Sequence, residues 1–469
     1  MIKFVLSMSF CLLLMNSYLL SQESSNKGKT PLERKANMDK FRQQKMQRLQ
    51  SLRKEKGGLS SLDNALANPT GVKNLILRGD SLTNLNPRIR ELIDLERLDV
   101  SNNSLTDLPQ ELASLEKLKE LKINDNKFSS IPDVIYKLKN LETLEIAGNF
   151  LTNINGDFSK LTKLKKLVLS ENQISSFSPV LDKIENLRDI YLTKNKLTAL
   201  PDVIFSVKTL SNLFIDNNSI SSINSKISNL SELNNLNLEA NEIKNLPKEI
   251  GKLEKLKFLN LKSNPLDSLN EELGEATSIM QIDVSETRVS KLPNSFSKLT
   301  QLRTINMNKT EMKQFPSNLT DFKSVIELNL DDNHLTTLPA NIDKLTNLRN
   351  LSVKNNQLSE LPEGLTKIEG IKQLDLSGNK ITSLNASIGK LTKLQTLNLN
   401  QNEISNIPKE ITSLSDLRNL SLSDNKITSL PSGFESLKQM RVIMLKGNPI
   451  SDASKEALKK QVPRVRLIF

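Results

Sequence analysis

The stretch LNNLNLEANEIKNLPKEIGKL, Leu233 to Leu253, has near-copies on both sides, and its spacing decides the fold. Steps of 23 residues place apolar side chains at Leu187, Leu210, Leu233, Leu256 and Ile279, and the phase holds from Val72 to Met440 without insertion or deletion, seventeen positions in all. Within a unit, apolar residues occupy places 1, 4, 6, 11, 14, 18 and 21, here Leu233, Leu236, Leu238, Ile243, Leu246, Ile250 and Leu253, and place 9 carries Asn241. Leu236 and Leu238 flank Asn237, so in an extended strand the leucines point one way and the amide the other. Spacings of three and four after a Pro or Asn at place 15 suit a turn into a short 3-10 or helical return. One unit cannot bury seven apolar side chains. Stacked units bury a row of each, at roughly 1.5 to 3 kcal/mol per side chain.

The pattern L-x-x-L-x-L-x-x-N-x-L resembles the leucine-rich repeat. The resemblance implies an α/β solenoid, a horseshoe with a parallel concave sheet and short helical or 3-10 returns on the convex side. Place 9 is asparagine in fourteen of seventeen units: Asn103, Asn126, Asn149, Asn172, Asn195, Asn218, Asn241, Asn264, Asn333, Asn356, Asn379, Asn402, Asn425 and Asn448. A buried amide can bond backbone groups of adjacent turns that would otherwise be unpaired, so the column reads as a structural ladder. Asp80, Thr287 and Thr310 depart from it, and the two consecutive threonines, with their shorter reach, predict a local bend.

The 469 residues are 37% hydrophobic with no tryptophan, so leucine and isoleucine must supply the core. The unbroken period favours one elongated domain over 72–450. Residues 1–21 carry Lys3, an apolar run from Phe4 to Leu20 and a small residue at Ser21, the pattern of a secretory signal peptide, with an uncleaved anchor helix as the alternative. The leader, 22–58, is basic and has a ragged helical stripe of Met38, Phe41, Met46, Leu49 and Leu52; between Gln22 and Lys56 it holds eleven Lys or Arg against four acids. It is expected to be solvated and partly helical, with contact to an anionic surface as the alternative. Residues 59–71 read as an N-terminal cap, with Leu59, Leu62 and Leu66 at the return positions of half a unit. Residues 451–469 read as a C-terminal cap, a short helix ended by Pro463 and a last strand over 465–469.

Leu62, Ala65, Leu66, Asn68, Pro69, Val72, Leu75 and Leu77 resemble the entry to a family of exported leucine-rich-repeat proteins of pathogenic spirochaetes. That family also closes with a helix, a proline and a basic-apolar strand. The resemblance implies export and a host-facing ligand. Cys11 is the sole cysteine, whereas secreted animal proteins of this repeat class usually carry cysteine-bounded caps, so the chain reads as bacterial.

No nucleophile with a base, carboxylate pair, metal cluster or phosphate loop is visible, so no enzyme, cofactor, metal or catalytic residue is expected. Asp331, Asp332 and His334 lie in one turn and read as solvated, and no apolar span after residue 21 reaches membrane length. What remains is a recognition surface. Its central column, place 5, is apolar in three consecutive units, at Val168, Tyr191 and Phe214, with Phe258 at place 3 two units on. The strand spacing of about 4.8 Å aligns the three as one exposed apolar patch, the expected ligand-binding site, though such residues can also simply reinforce a sheet. The expected function is binding of a protein ligand, with no nucleic-acid partner. The alternatives are an envelope protein held by its leader and, if residues 1–21 are no signal, an intracellular scaffold.

Overall fold

The computed structural model describes residues 61–178, 181 and 184–469. The expected signal peptide, the leader, Leu59 and Ser60 lie outside the described residues. Each unit contributes one three-residue strand to a parallel sheet of 18 strands. The register is the sequence period itself: Leu75 pairs with Leu98, and Leu236 with Leu259 on one side and Leu213 on the other. Leu233, Leu236, Leu238, Ile243, Ile250 and Leu253 are all buried, so the strand and the return of each unit face one continuous core. The result is a leucine-rich-repeat solenoid, with the sheet on its concave side.

Most returns are single 3-10 turns. In Lys248–Lys252 the preceding Pro247 holds the extended backbone that starts the turn. At four of the five asparagines at place 15 the side chain caps the turn instead, as Asn224 Oδ1 accepts from Lys226 N; at the fifth, Asn155, Asp157 takes that role. The turns stay short because Leu253 N–H closes on Ile250 O at 3.2 Å and the chain must then descend to the next strand.

Between strand and return, every unit passes through positive φ at place 8, from Asn102 (56°) to Asp424 (56°). Only Gly79, Gly148, Gly378 and Gly447 among these seventeen are glycine. The left-handed step turns the chain so that the next residue, the place-9 asparagine, points inward. Asn264 shows the geometry. Its Nδ2 donates to Leu261 O and, across the unit boundary, to Leu238 O, both at 2.9 Å, while its Oδ1 accepts from Ile243 N at 3.1 Å. Thr287 makes only bonds within its own unit, donating to Val284 O at 2.6 Å and accepting from Val289 N at 3.2 Å. Strand pairing nevertheless runs through Ile282, Ile305 and Leu328 in register. Thr310 still reaches the next unit, donating from Oγ1 to Asn333 Oδ1 at 3.1 Å, so the threonines thin the side-chain bonds to the preceding unit without interrupting the sheet.

At the ends, a short helix over Leu62–Ala67 covers the first unit with Ala65 and Leu66 buried. A helix over Asp452–Gln461, capped by Ser451, buries Leu458, and Arg466–Ile468 adds the last parallel strand beside Val442–Met444. No helix among the described residues is long and apolar enough to cross a membrane.

Candidate functional site on the concave sheet

Along each strand the backbone of places 6 and 8 bonds to the next unit, as Leu238 N does to Asn260 O and Ala240 N to Lys262 O. The place-7 N–H between them points out of the ladder and needs another acceptor. In most units a polar side chain on the concave face supplies it. Asp99, Asn237, Asn260, Asp283, Asn329, Asp375 and Asn398, all at place 5, accept from the N–H two residues on at 2.9 to 3.2 Å. Elsewhere the place-7 side chain of the preceding unit does so, as Asn124 Oδ1 accepts from Ala147 N at 2.8 Å.

Units 5, 6 and 7 break this arrangement. Val168, Tyr191 and Phe214 stand at consecutive, in-register positions and offer no acceptor. Among the described residues, no protein group accepts from the N–H of Ser170, Thr193 or Asp216. Arg78, Asn124 and Lys446 share that state singly; only here does it occur in three neighbours. The site therefore joins an apolar step to a row of three N–H groups from which no protein group accepts, and place 5 alone had suggested only the first.

The three side chains are half-buried, which corrects the expectation of a simply exposed patch. Tyr191 and Phe214 cover each other, stacked with ring centroids 4.8 Å apart and planes within 3°. Lys166 Nζ sits 5.4 Å from the Tyr191 ring centre, within cation–π range, and also pairs with Glu145 at 3.0 Å. Burial, with the charges of Asp189 and Glu145, pushes the Tyr191 hydroxyl up to about 12. Burial works against ionisation of Glu145 too, but the bond from Lys166 and the charges of Lys122 and Lys166 outweigh it and hold that carboxyl below its ordinary range. Beside Phe214 on the same face, the buried Asp216 carboxyl accepts from Thr193 Oγ1, Asn217 Nδ2 and Asn237 Nδ2 at 2.8 to 3.0 Å. The site is thus an apolar step bordered by charged and polar side chains that are paired with one another.

Phe258 does not join it. Its row runs through Asn235 and Gln281, and the Asn235–Asn237 strand separates it from Phe214. The expected loop acids also have structural partners: Asp331 Oδ1 accepts from Ser352 Oγ and Lys354 N, and Asp332 accepts from Asn355 at 2.7 Å. Burial raises the Asp331 carboxyl, partly offset by those bonds, with Asp375 and Asp332 adding to the rise.

A leucine-rich-repeat region model matches residues 37–190, 243–360 and 364–462, and a second leucine-rich-repeat model matches 185–243. The chain belongs to the leucine-rich-repeat family. It is similar to the leucine-rich-repeat protein LIC12759 of Leptospira interrogans, with 32% identity, a TM-score of 0.75, and coverage of 88% of this chain and 100% of that one. Two Listeria monocytogenes proteins share the fold. The functional domain of InlJ is 22% identical, with TM-score 0.60 and coverage of 76% of this chain and 74% of that one. The internalin InlF is 23% identical, with TM-score 0.56 and coverage of 66% and 87%. Among curated proteins no significant match is found. Leucine-rich-repeat proteins generally mediate protein–protein interaction, and the fold is typically a non-enzymatic binding scaffold.

Proposed function

We propose that this is an exported bacterial protein that binds another protein on its concave sheet, with Val168, Tyr191 and Phe214 at the centre of the contact. The observation that carries the reading is the coincidence, in three adjacent units, of apolar side chains with N–H groups lacking a protein acceptor. Backbone carbonyls of a partner segment would meet those donors while its apolar side chains cover the aromatic pair. The similarity to a Leptospira protein supports the spirochaete type, and with it a host-derived ligand.

The test follows from how other units solve the same problem. Tyr191→Asn with Phe214→Asn installs the side chain that Asn237 and Asn260 already use to cap their own place-7 N–H, so the array should fold. The partner would be captured from host extracellular protein with the intact chain and identified by cross-linking. If it buries roughly a further 50 Å² on each ring, the gross gain is about 2.5 kcal/mol at roughly 25 cal/mol per Å². After ordering costs, the double variant should bind about tenfold or more weakly. Normal binding with a lower melting temperature would make the pair sheet reinforcement only.

Export rests on residues 1–21 and is read separately. Mass spectrometry of the native protein should find a mature terminus near Ser21, and an intact Met1 in a cytoplasmic protein would remove this part of the reading.

A further inference from the structure

The entry edge of the sheet is lined by place 2 of each unit, and its character changes along the array. In the first five units it alternates in sign and pairs with itself: Lys73 with Glu96 at 3.5 Å, Lys119 with Glu96 at 2.8 Å, and Lys165 with Glu142 at 2.7 Å. From the ninth unit it reads Lys257, Met280, Arg303, Ile326, Arg349, Lys372, Gln395, Arg418 and Arg441. There is no carboxylate in that run, and among the described residues none of its six cations forms an ion pair.

The cations are nevertheless placed. Arg303 donates to Thr300 O at 3.0 Å and Ser324 O at 3.3 Å, and Arg349 to Leu348 O at 3.0 Å, which fixes one corner of each guanidinium on the backbone. Arg418 Nε is buried with no acceptor. Between the cations, Met280 and Ile326 are each 37% exposed, where other units carry polar residues. Beside Arg303 and Ile326 opens a groove of about 520 Å³, floored by Phe296 and Phe322. Of the acids nearby, Asp321 on the groove wall faces Lys344 at 3.6 Å, and Glu327 occupies the neighbouring place-3 row.

We propose that the edge from Lys257 to Lys372 is a second binding surface, and that its occupant is an acidic protein segment with apolar side chains between its carboxylates. Charge complementarity selects the acid, and Met280 and Ile326 select the apolar side chains. Pitch supports an extended peptide. Lys257, Arg303 and Arg349 stand two strands apart, about 9.6 Å, which is roughly three residues of extended chain. A polysaccharide or nucleic acid would use the cations and leave Met280 and Ile326 uncovered. This surface is distinct from the Tyr191–Phe214 site and stands or falls without it.

The probe is a fluorescent synthetic peptide of about twelve residues repeating Glu-Leu-Ser, titrated into the full chain at about 0.15 M salt. The same peptide with Gln for Glu, and a heparin fragment as competitor, complete the set. The Glu peptide should bind at least about tenfold tighter than its Gln version. Lys257→Glu with Lys372→Glu, both exposed side chains, should weaken it about fivefold or more, and Met280→Ser with Ile326→Ser about threefold or more. Tyr191→Asn with Phe214→Asn should leave it unchanged, and unaltered melting temperatures will show that each variant is folded. Full affinity in the lysine variant would place the peptide elsewhere and overturn the proposal. So would displacement by heparin together with full affinity in the Met280/Ile326 variant, since the edge would then be a general polyanion surface.

Discussion

Replacing Asn241 with alanine is expected to lower the unfolding free energy by about 3 to 5 kcal/mol, although the residue lies far from either end and touches no proposed ligand. The side chain joins two units. Its Nδ2 donates to Leu238 O at 3.0 Å and Glu239 O at 3.3 Å in its own unit and to Ile215 O at 3.1 Å in the preceding one, while its Oδ1 accepts from Ile220 N at 3.0 Å. Alanine leaves the Ile220 N–H buried without a partner, at about 1 to 3 kcal/mol, takes one of two donors from the Ile215 carbonyl, which keeps Asn218 Nδ2 at 3.0 Å, and removes the two bonds within the unit, at roughly 0.5 to 1.5 kcal/mol for each bond lost. Asn241→Thr should cost about half as much, because Thr287 shows that a hydroxyl can still serve its own unit. In a solenoid, stability is close to a sum of unit and interface terms. Urea unfolding of the alanine variant should therefore also lose steepness, as the two sides of the weakened boundary cease to melt together. Alanine and threonine variants of equal stability would show that the bonds within the unit contribute little, and a threonine variant as stable as the native chain would show the same of the bonds across the boundary.

The threonine comparison marks what the sequence can show. Spacing alone gives the strand at places 3 to 5, the buried rows and the parallel register, because a 23-residue period with apolar places 4 and 6 permits only one stacking. The amide column is equally visible, but the backbone groups it meets are not, since they belong to the preceding unit. Place 8 is invisible altogether. Its positive φ is met by Ala240, Lys309 and Glu286 as readily as by Gly148, so no glycine pattern announces the turn. Local preference is overridden there by the bonds on either side.

The candidate site was half legible for a similar reason. The run of Val168, Tyr191 and Phe214 stands out in the column, but their mutual cover does not, because ring stacking depends on rotamers that spacing leaves open. Nor do the unaccepted N–H groups of Ser170, Thr193 and Asp216 appear in a sequence. They become conspicuous only once the place-5 carboxylates and amides of other units are seen to cap the equivalent donor. The entry edge was missed because place 2 varies, and a column that changes character halfway along carries no period.

Gly251→Ala should lower stability by about 2 to 3 kcal/mol, against a gain of up to about 1 kcal/mol from helical propensity in the same substitution. A Cβ at residue 251 would lie 2.0 Å from Glu272 O and 2.8 Å from its carbonyl carbon, so the backbones of two neighbouring returns would have to part. Gly370→Ala provides the control. There the clash is equally short on paper, 2.0 Å, but the atom met is the guanidinium of Arg349, the far end of a flexible side chain. That arm can swing aside by giving up its bond to Leu348 O, so the change should cost no more than about 1 kcal/mol. Place 19, which Gly251 occupies, carries Ala113, Tyr136, Phe205 and Thr320 in other units, so the fold does not demand glycine there. It is the local approach of the two returns that demands it. Gly274 repeats the close approach one unit on, where a Cβ would lie 2.6 Å from Ser295 O. Tightly spaced returns reduce the difference in pitch between convex and concave sides, so a lower curvature is expected between the eighth and tenth units. Thermal melts of the two alanine variants decide the matter: a Gly251→Ala protein as stable as Gly370→Ala would mean that the returns separate freely and that their spacing does not set the local curvature.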